Sequence, residues 1–395
     1  MSYQLLIDGE LVDGERTLSV INPATGKEFA TCARASETQL HDAVAAAKRA
    51  FPAWAKLSHA DRKARIEAFA QGIEDRKQEF AELLTSEQGK PLAQATAEVG
   101  GAIAILRHFA GIELPLETLR ESDEGKVLEQ HSPLGVVAAI TPWNFPLSIL
   151  MLKVGPGLST GNTMVVKPAP TTPLTTALLG EVASTTLPAG VFNVIIDDND
   201  LGSVLSSHPD IAKVSFTGST ATGKRVMESA SGTLKRLTLE LGGNDAAIIL
   251  DDVDPKEIAP RIFGAAMVNA GQVCLAAKRI YAPRSMYDAL CEELATLARN
   301  AVVDDGMKEG TQIGPLQNKQ QYEKVLGYID EASRDGSIIA GGKALDRDGY
   351  FIEPTIVRDI PDDAPLVREE QFGPVVPVLA YGSIDEVVAK ANDSE

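Results

Sequence analysis

The strongest constraint on the fold is an alternation that begins at Gly135. Short runs rich in β-branched residues are separated there by stretches of helical character; the runs are Val136 to Ile140, Met164 to Lys167, Phe192 to Ile196, Lys213 to Thr217 and Leu237 to Leu241. Strands that alternate with helices are typical of βαβ units on a parallel sheet. The sequence therefore predicts an α/β fold with a parallel-sheet domain.

Helical and mixed segments flank this alternation. Apolar residues recur at helical spacing between about Glu37 and Lys90, and Gly89 with Pro91 supplies a stop. A sixth strand-like run, Asp245 to Leu250, leads into three further candidate helices, namely Ala265 to Ala277, Tyr287 to Val303 and Asn318 to Ala332. The polar segment Glu117 to Gln130 is typical of an edge hairpin or an arm. We predict one domain from residues 1–116 and 134–243, an arm at 117–133 and a second domain at 244–395.

Charge and cysteine content exclude several classes of protein. The 395-residue chain has 37 Lys and Arg against 55 Asp and Glu, a formal net charge of −18, which argues against nucleic acid or an anionic membrane as partner. The N-terminus lacks a basic and apolar leader, and the most apolar stretch is broken by Pro142, Pro146, Lys153 and Pro156. Three cysteines without metal-ligand spacing indicate neither a disulfide framework nor a metal site. A reducing, cytoplasmic setting fits best.

Cys274 is the first candidate for chemistry. It follows Gly271-Gln272-Val273 at a predicted loop-to-helix junction, and a helix N-terminus lowers a thiol pKa and so favours the nucleophilic thiolate. A cysteine is also a common small core residue, which is our interpretation of Cys32 and Cys291. The five histidines all precede Cys274, and none lies in a glycine-flanked turn that would mark a base; they are His41, His59, His108, His131 and His208.

Glu240 is a better candidate for the base. It ends an apolar strand and is followed by Leu241, Gly242 and Gly243. Burial there would raise its pKa toward the range useful for a general base. A solvated glutamate at the rim of a sheet is the alternative, and the two glycines favour a site.

Two turns have features of ligand sites. Gly218, Gly223 and Lys224 satisfy the spacing of a phosphate-binding loop after a strand. Arg225, however, stands where a Ser or Thr would bind Mg²⁺, which argues against a nucleoside triphosphatase. The dinucleotide fingerprint G-x-G-x-x-G is missing as well. In the second turn, Thr141 to Pro146, the amide of Asn144 could donate to a developing oxyanion or could cap a rigid aromatic turn.

Taken together, these segments resemble the aldehyde dehydrogenase superfamily over essentially the whole chain. The motifs that carry the resemblance are Ile21 to Gly26, Thr141-Pro142-Trp143-Asn144-Phe145-Pro146, Gly161-Asn162, Val166-Lys167-Pro168, Leu187 to Asn193, Phe216 to Ser219, Leu239 to Gly243, Gly271 to Cys274 and Glu370 to Pro374. The resemblance implies oxidation of an aldehyde to an acid with NAD or NADP, NAD being slightly favoured, in a homo-oligomer.

The resemblance also implies roles for individual residues. Cys274 is the nucleophile, Asn144 with the Cys274 backbone N–H stabilises the oxyanion, and Glu240 activates the hydrolytic water. Lys153 orients groups or relays a proton. Lys167 binds the adenosine ribose, Gly218 with Ser219 the pyrophosphate, and Glu370 the nicotinamide ribose. Phe372 forms a wall beside the nicotinamide, and Trp143 lines the cofactor cleft. The implied cofactor-binding set is completed by Thr141, Pro142, Gly223 and Leu241.

Three departures from the family pattern qualify this picture. Many members that prefer NAD carry a glutamate where this chain has Pro170, which leaves the choice between NAD and NADP open. Members specific for succinate semialdehyde carry arginines where we align Leu152 and Val268, so we expect a neutral aldehyde. Family chains also continue beyond the position of Glu395, which predicts a truncated second domain. A cofactor-binding fragment without turnover and a thiol esterase are the alternatives.

Overall fold

The computed structural model describes residues 3–394, so the predicted domain limits at Met1 and Glu395 lie outside it. The chain divides into two compact units. The first contains the residues up to Val20, Ala30–Leu83 and Thr96–Glu240. The second contains Ile21–Phe29, Leu84–Ala95 and the residues from Leu241 onward. Three segments that the sequence places in the first domain therefore belong to it, namely the first two of these and residues 241–243.

The helices are α1 (Glu37–Lys56), α2 (His59–Asp75), α3 (Lys77–Gln88), α4 (Leu92–Ala110), α5 (Pro146–Ser159), α6 (Leu174–Thr186), α7 (Gly202–Ser207), α8 (Thr220–Ser231), α9 (Pro255–Met267), α10 (Tyr287–Asn300), α11 (Lys319–Asp335), α12 (Pro365–Arg368) and α13 (Ile384–Asn392). The strands are β1 (Leu5–Ile7), β2 (Glu10–Val12), β3 (Arg16–Asn22), β4 (Lys27–Arg34), β5 (Glu117–Ser122), β6 (Gly125–Glu129), β7 (Val136–Ile140), β8 (Thr163–Lys167), β9 (Phe192–Val194), β10 (Ile211–Thr217), β11 (Arg236–Glu240), β12 (Ala246–Ile248), β13 (Arg279–Pro283), β14 (Ser337–Ala340), β15 (Thr355–Arg358) and β16 (Val375–Tyr381).

The first unit is built on a seven-stranded sheet with the order β11-β10-β7-β8-β9-β1-β2. The strands from β11 to β9 run parallel, and β1 with β2 adds antiparallel at the far edge. Every residue of β7 and β8 is buried, as expected for parallel strands with helices on both faces. The predicted parallel sheet is confirmed.

The order of the strands marks one point of this sheet. The chain forms β7 first, adds β8 and β9 on one side, and then adds β10 and β11 on the other. The direction of winding therefore reverses between β7 and β10. In open α/β sheets, ligands bind outside the carboxyl ends of the strands at such a reversal. The fold thus points to the residues that follow β7 and β10.

The helical opening region is confirmed as α1, α2 and α3. Ser36 begins α1 with a capping box, in which its hydroxyl accepts from Gln39 N–H and the Gln39 side chain accepts from Ser36 N–H. Gly89 follows α3 with φ +97, a left-handed conformation that glycine adopts without strain. The segment from Glu117 to Gln130 forms the predicted hairpin of β5 and β6, in which every residue is exposed.

The second unit is built on a five-stranded sheet with the order β12-β13-β16-β15-β14. The strands from β12 to β15 run parallel, and β14 is antiparallel at the edge. Its core includes Ile280, Leu290, Leu294, Ile356 and Val378, each 0% exposed. The predicted helices at Tyr287 and Asn318 are confirmed as α10 and α11. No helix within residues 3–394 is long and apolar enough to cross a membrane.

Candidate active site

In the first unit, four of the predicted site segments meet at the carboxyl edge of the parallel sheet. Ile140 pairs in register with Lys167 and with Phe216, and Thr217 pairs with Glu240. The parallel ladder extends one residue further, because Thr141 N–H donates to Lys167 O at 3.1 Å. Gly218 N–H donates to Glu240 O at 3.0 Å. The ends of β7, β8, β10 and β11 therefore present their site residues on one edge.

Glu240 lies at this edge, but its side chain is exposed. The predicted burial is wrong, because β11 is the outermost strand of the sheet and has one neighbour, β10. An exposed carboxylate is solvated and can reach a water molecule directly. Its position beside Thr217 is fixed by the backbone pairing of the two strands.

Lys153 contributes a buried amine to the same edge. It projects from α5, which begins with Pro146 directly after the turn at the end of β7. Its Nζ donates to Thr217 Oγ1 at 2.7 Å and to Ser215 Oγ at 3.2 Å. Burial lowers the pKa of Lys153 to about 8, although the Glu240 charge acts in the opposite direction. The amine is therefore poised to exchange a proton near neutral pH.

The turn after β7 holds Thr141 and Asn144 in buried positions, 4% and 3% exposed, whereas Pro142 and Trp143 are half-buried. Thr141 Oγ1 makes no hydrogen bond within residues 3–394. A buried hydroxyl without a partner is costly, so this atom fits a polar group of a ligand at the reversal point of the sheet.

The turn after β10 opens a helix as predicted. Ser219 is the N-cap of α8, and its hydroxyl accepts from Thr222 N–H at 3.3 Å. Gly218 packs closely against a ring, since a Cβ there would lie 2.6 Å from Phe216 Cζ and the ring would have to move. Gly223 is buried in the first turns of α8. The twelve-residue helix α8 thus begins beside the reversal point. The backbone N–H groups of its first turn are a suitable environment for a phosphate.

Lys167 ends β8 and is 4% exposed. The structure brings it against a residue that the sequence analysis did not select, Asp197, whose Oδ1 lies 2.5 Å from the lysine Nζ. Asp197 follows β9, the next strand of the sheet, and is 0% exposed. The loop that contains Asp197 has no sequence pattern that indicates this buried ion pair.

In the second unit, the predicted residues meet at the amino edge of the sheet. Cys274 lies in a turn that leads into β13, Glu370 and Phe372 lie before β16, and Gly243 lies before β12. The predicted helix from Ala265 to Ala277 is wrong beyond its first three residues, because α9 ends at Met267 and a 3₁₀ turn, Val268–Gly271, follows. Cys274, which is half-buried, therefore does not begin a helix.

The backbone before Cys274 explains why the helix stops. Asn269, Ala270 and Gly271 have φ of +52, +54 and +72, and a helix cannot continue through left-handed residues. Polar side chains hold this bend: Gln272 Nε2 donates to Asn269 O at 2.9 Å, and Gln272 Oε1 accepts from Gln317 N–H at 2.9 Å. The nucleophile turn is thus fixed by buried hydrogen bonds.

Lys278 links the nucleophile turn to Glu370. This lysine is 2% exposed, and its Nζ donates to Cys274 O at 2.6 Å and lies 3.6 Å from Glu370 Oε1. Glu370 also accepts from Gly243 N–H at 3.2 Å. Gly242 leaves room for this carboxylate, since a Cβ there would lie 2.1 Å from Glu370 Oε2. Sequence reasoning missed Lys278, because a lysine beside a strand is usually a surface residue.

The segment around Phe372 is fixed in a similar way. Gln371 is 1% exposed, and its Nε2 donates to Lys278 O and to Val375 O, both at 3.0 Å, which ties β13 to β16. Phe372 has φ +51, and its carbonyl accepts from Gln321 Nε2 at 3.0 Å. Leu241 is half-buried at the start of this unit.

The other two cysteines are buried, as predicted. Cys32 is 3% exposed on β4 and Cys291 is 1% exposed on α10, where burial raises the pKa of its thiol to about 11. A thiol of that pKa is protonated and unreactive at neutral pH. Within residues 3–394, no group of three or more His, Cys, Asp or Glu side chains could hold a metal ion.

Comparison with known proteins gives a consistent family. Residues 11–395 match the model of the aldehyde dehydrogenase family. A probable aldehyde dehydrogenase of a Pseudomonas species is 41% identical over 394 residues, 99% of this chain and 80% of that protein. The succinate-semialdehyde dehydrogenase (NADP(+)) of Escherichia coli K12 is 37% identical over 401 residues, 99% of this chain and 83% of that protein.

A solved structure agrees with these sequences. The NAD+ complex of an aldehyde dehydrogenase from Bacillus cereus is similar with a TM-score of 0.97 at 37% identity, over 100% of this chain and 82% of that chain. The predicted α/β fold and the predicted enzyme class are confirmed. The match of motifs, fold and sequence over nearly the whole length establishes that the chain belongs to the aldehyde dehydrogenase family.

Proposed function

We propose that the chain oxidises a neutral aldehyde to the carboxylic acid with NAD or NADP, through a covalent thioester on Cys274. The observation that carries the proposal is the combination, in a member of this family, of a half-buried thiol at the end of a rigid turn with an exposed glutamate beside a buried amine. These are the groups needed for a nucleophile, a base and a proton relay.

The thiolate of Cys274 attacks the aldehyde carbon and forms a carbon–sulfur bond, which places negative charge on the aldehyde oxygen. The Asn144 amide and the Cys274 backbone N–H donate to this oxyanion. When bound, the nicotinamide cofactor supplies the acceptor for the hydride that leaves the carbon. The product on the enzyme is a thioester of Cys274.

Hydrolysis of the thioester is the task of Glu240. Its exposed carboxylate takes a proton from water, which attacks the thioester carbon; the carbon–sulfur bond breaks, and the acid leaves with Cys274 again free. Lys153 passes the proton onward, since its pKa of about 8 allows it to give or accept a proton near neutral pH. The Thr217 hydroxyl, 2.7 Å from Lys153 Nζ, holds the amine at this edge.

Residues at each sheet edge, taken separately, suit parts of a dinucleotide. Thr141 Oγ1 offers an unsatisfied buried hydroxyl, and Ser219 with Gly218 begins a helix that suits the pyrophosphate. Lys167 is assigned to the adenosine ribose and Glu370 to the nicotinamide ribose. Phe372 is assigned to a wall beside the nicotinamide, and Trp143 to the lining of the cofactor cleft.

The neutral character of the substrate is inferred from two positions. Leu152 is 53% exposed on α5, and Val268 is 37% exposed at the start of the 3₁₀ turn. Apolar side chains at both positions offer no partner for a second carboxylate on the substrate, so a charged semialdehyde would lose its solvation without compensation. Aliphatic and aromatic aldehydes are therefore the proposed class.

The test is rapid mixing of the protein with a panel of neutral aldehydes and succinate semialdehyde, with NAD+ or NADP+, while reduced cofactor is followed by absorbance. We expect turnover with neutral aldehydes, and in Glu240→Gln a burst of about one equivalent of reduced cofactor followed by turnover slowed about 10²-fold or more. Binding of cofactor without reduction by any aldehyde would contradict the proposal. A preference for succinate semialdehyde would contradict the substrate class alone.

A further inference from the structure

Lys167 carries a charge that is already matched inside the protein. Its Nζ is 2.5 Å from Asp197 Oδ1, and the second carboxylate oxygen, Oδ2, accepts from Leu201 N–H at 2.8 Å. Asp197 is 0% exposed and Lys167 is 4% exposed. Both oxygens of the carboxylate are thus engaged, and the acid is fixed beneath the lysine. Such a pair is costly to separate, because either partner alone would be a buried unpaired charge.

The remaining hydrogen-bonding capacity of Lys167 suits a hydroxyl. An ammonium has three N–H donors. One is used by Asp197, and a second reaches Pro168 O at 3.4 Å. The third is free to donate to a sugar hydroxyl, which needs no net positive charge. A phosphate brings about −1.5 to −2 charge and is stabilised by uncompensated positive charge, whereas the charge of Lys167 is already balanced by Asp197.

The loop around Asp197 adds further negative charge. Asp198 and Asp200 follow it in the chain, and both pair with Arg34, at 3.3 Å and 2.8 Å. The segment therefore holds three carboxylates against two cations, each of which is already paired. A phosphate that approached Lys167 would meet a local excess of negative charge.

We propose that the Lys167–Asp197 pair selects NAD over NADP, by presenting a donor for the adenosine ribose 2′-hydroxyl while denying a cation to a 2′-phosphate. This rests on the proposed function, in which Lys167 binds that ribose. Pro170 occupies the place where the resemblance expects a glutamate for this purpose. Asp197 supplies a carboxylate instead, from the loop after β9 rather than from the one after β8.

The test is a set of dissociation constants for NAD+ and NADP+, measured by calorimetry without aldehyde. The unaltered protein should bind NAD+ at least about tenfold more tightly than NADP+. Asp197→Asn should shift that ratio by about tenfold or more toward NADP+, chiefly through tighter NADP+ binding. Asp198→Asn removes the same charge from an exposed position next to it and should shift the ratio less than about twofold.

The outcomes separate the inference from the function on which it rests. Equal affinity of the unaltered protein for the two dinucleotides would overturn the inference whether or not Asp197→Asn folds. Equal shifts in Asp197→Asn and Asp198→Asn would also overturn it, since they would indicate a general charge effect. If Asp197→Asn binds NAD+ with an unchanged ratio of NAD+ to NADP+ affinity, the selecting role of the Lys167–Asp197 pair is refuted, but the proposed function is not. Failure to bind either dinucleotide refutes the proposed function as well.

Discussion

The two units present their site residues at opposite ends of their parallel strands. In the first, the residues follow the strands, at the carboxyl edge; in the second, they precede the strands, at the amino edge. Each edge has a buried lysine near a glutamate. Lys153 bonds to two hydroxyls and senses the Glu240 charge, whereas Lys278 approaches the Glu370 carboxylate to 3.6 Å and bonds to the Cys274 carbonyl.

This difference in partners indicates a difference in task. An amine held by neutral hydroxyls and desolvated has a lowered pKa, so its proton is mobile near neutrality. An amine that donates to a carbonyl and lies near a carboxylate acts as a fixed link between the segments that carry them. We therefore expect the carboxyl edge of the first unit to move protons and the amino edge of the second to hold the nucleophile in place.

Loss of the thiol at the amino edge should have the largest effect. Cys274→Ala removes the atom that bonds to the substrate, so dehydrogenase turnover and hydrolysis of an aryl ester should both fall by about 10⁴-fold or more. Steady-state assays of both reactions measure this. Cys32→Ala changes a buried thiol elsewhere and should keep nearly full activity. If the Cys274→Ala protein is active, the amino edge does not supply the nucleophile.

Loss of Lys278, the fixed link between the Cys274 turn and Glu370, should have an intermediate effect. Lys278→Met leaves Glu370 without its cation and frees the Cys274 carbonyl, so kcat/KM for the aldehyde should fall about tenfold, and NAD+ should bind several-fold more weakly. Lys324→Met is the matched control, because Lys324 is exposed and donates to the Glu370 backbone carbonyl rather than to its carboxylate. If the two variants lose equal activity, the buried lysine has no special role.

Substitution of Lys153, the amine with the mobile proton, should have the smallest effect. The effect should also be confined to part of the pH range. Because burial lowers the pKa of Lys153 to about 8, the neutral fraction rises from about a tenth at pH 7 to about half at pH 8. If neutral Lys153 accepts the proton from Glu240, kcat rises with pH between 7 and 9, and Lys153→Met removes this rise at a cost of several-fold. A pH profile unchanged in shape would assign Lys153 to orientation alone.

The sequence predicted the carboxyl edge well because buried parallel strands have a distinct pattern. β7 and β8 are continuous apolar runs, and the residues that follow such runs lie at one edge by topology. The N-terminal strands β1 and β2 were not predicted, because three residues are too few to establish a period. Glu240 was placed on the correct strand, but its exposure depends on β11 being outermost, which the order along the chain does not reveal.

The amino edge could be predicted through motifs but not through patterning. The segment from Ala265 to Ala277 has helix-compatible composition, and the left-handed conformations of Asn269 and Ala270 are imposed by surrounding contacts. Lys278 and Glu370 are far apart in sequence, as are Lys167 and Asp197, so neither pairing has a local signature. Interactions of this kind become visible when the tertiary structure is known.

The glycines at the amino edge imply a mechanical connection. A Cβ at Gly271 would lie 2.2 Å from Gly373 O, and a Cβ at Gly373 would lie 2.4 Å from Val325 Cγ2, so the backbones of the nucleophile turn and the Phe372 turn touch directly, with α11 behind them. Because no side chains lie between the two backbones, one turn has little room to move without the other. The two turns should therefore open together, with their amide protons exchanging in a single cooperative step slower than that of the exposed β5–β6 hairpin.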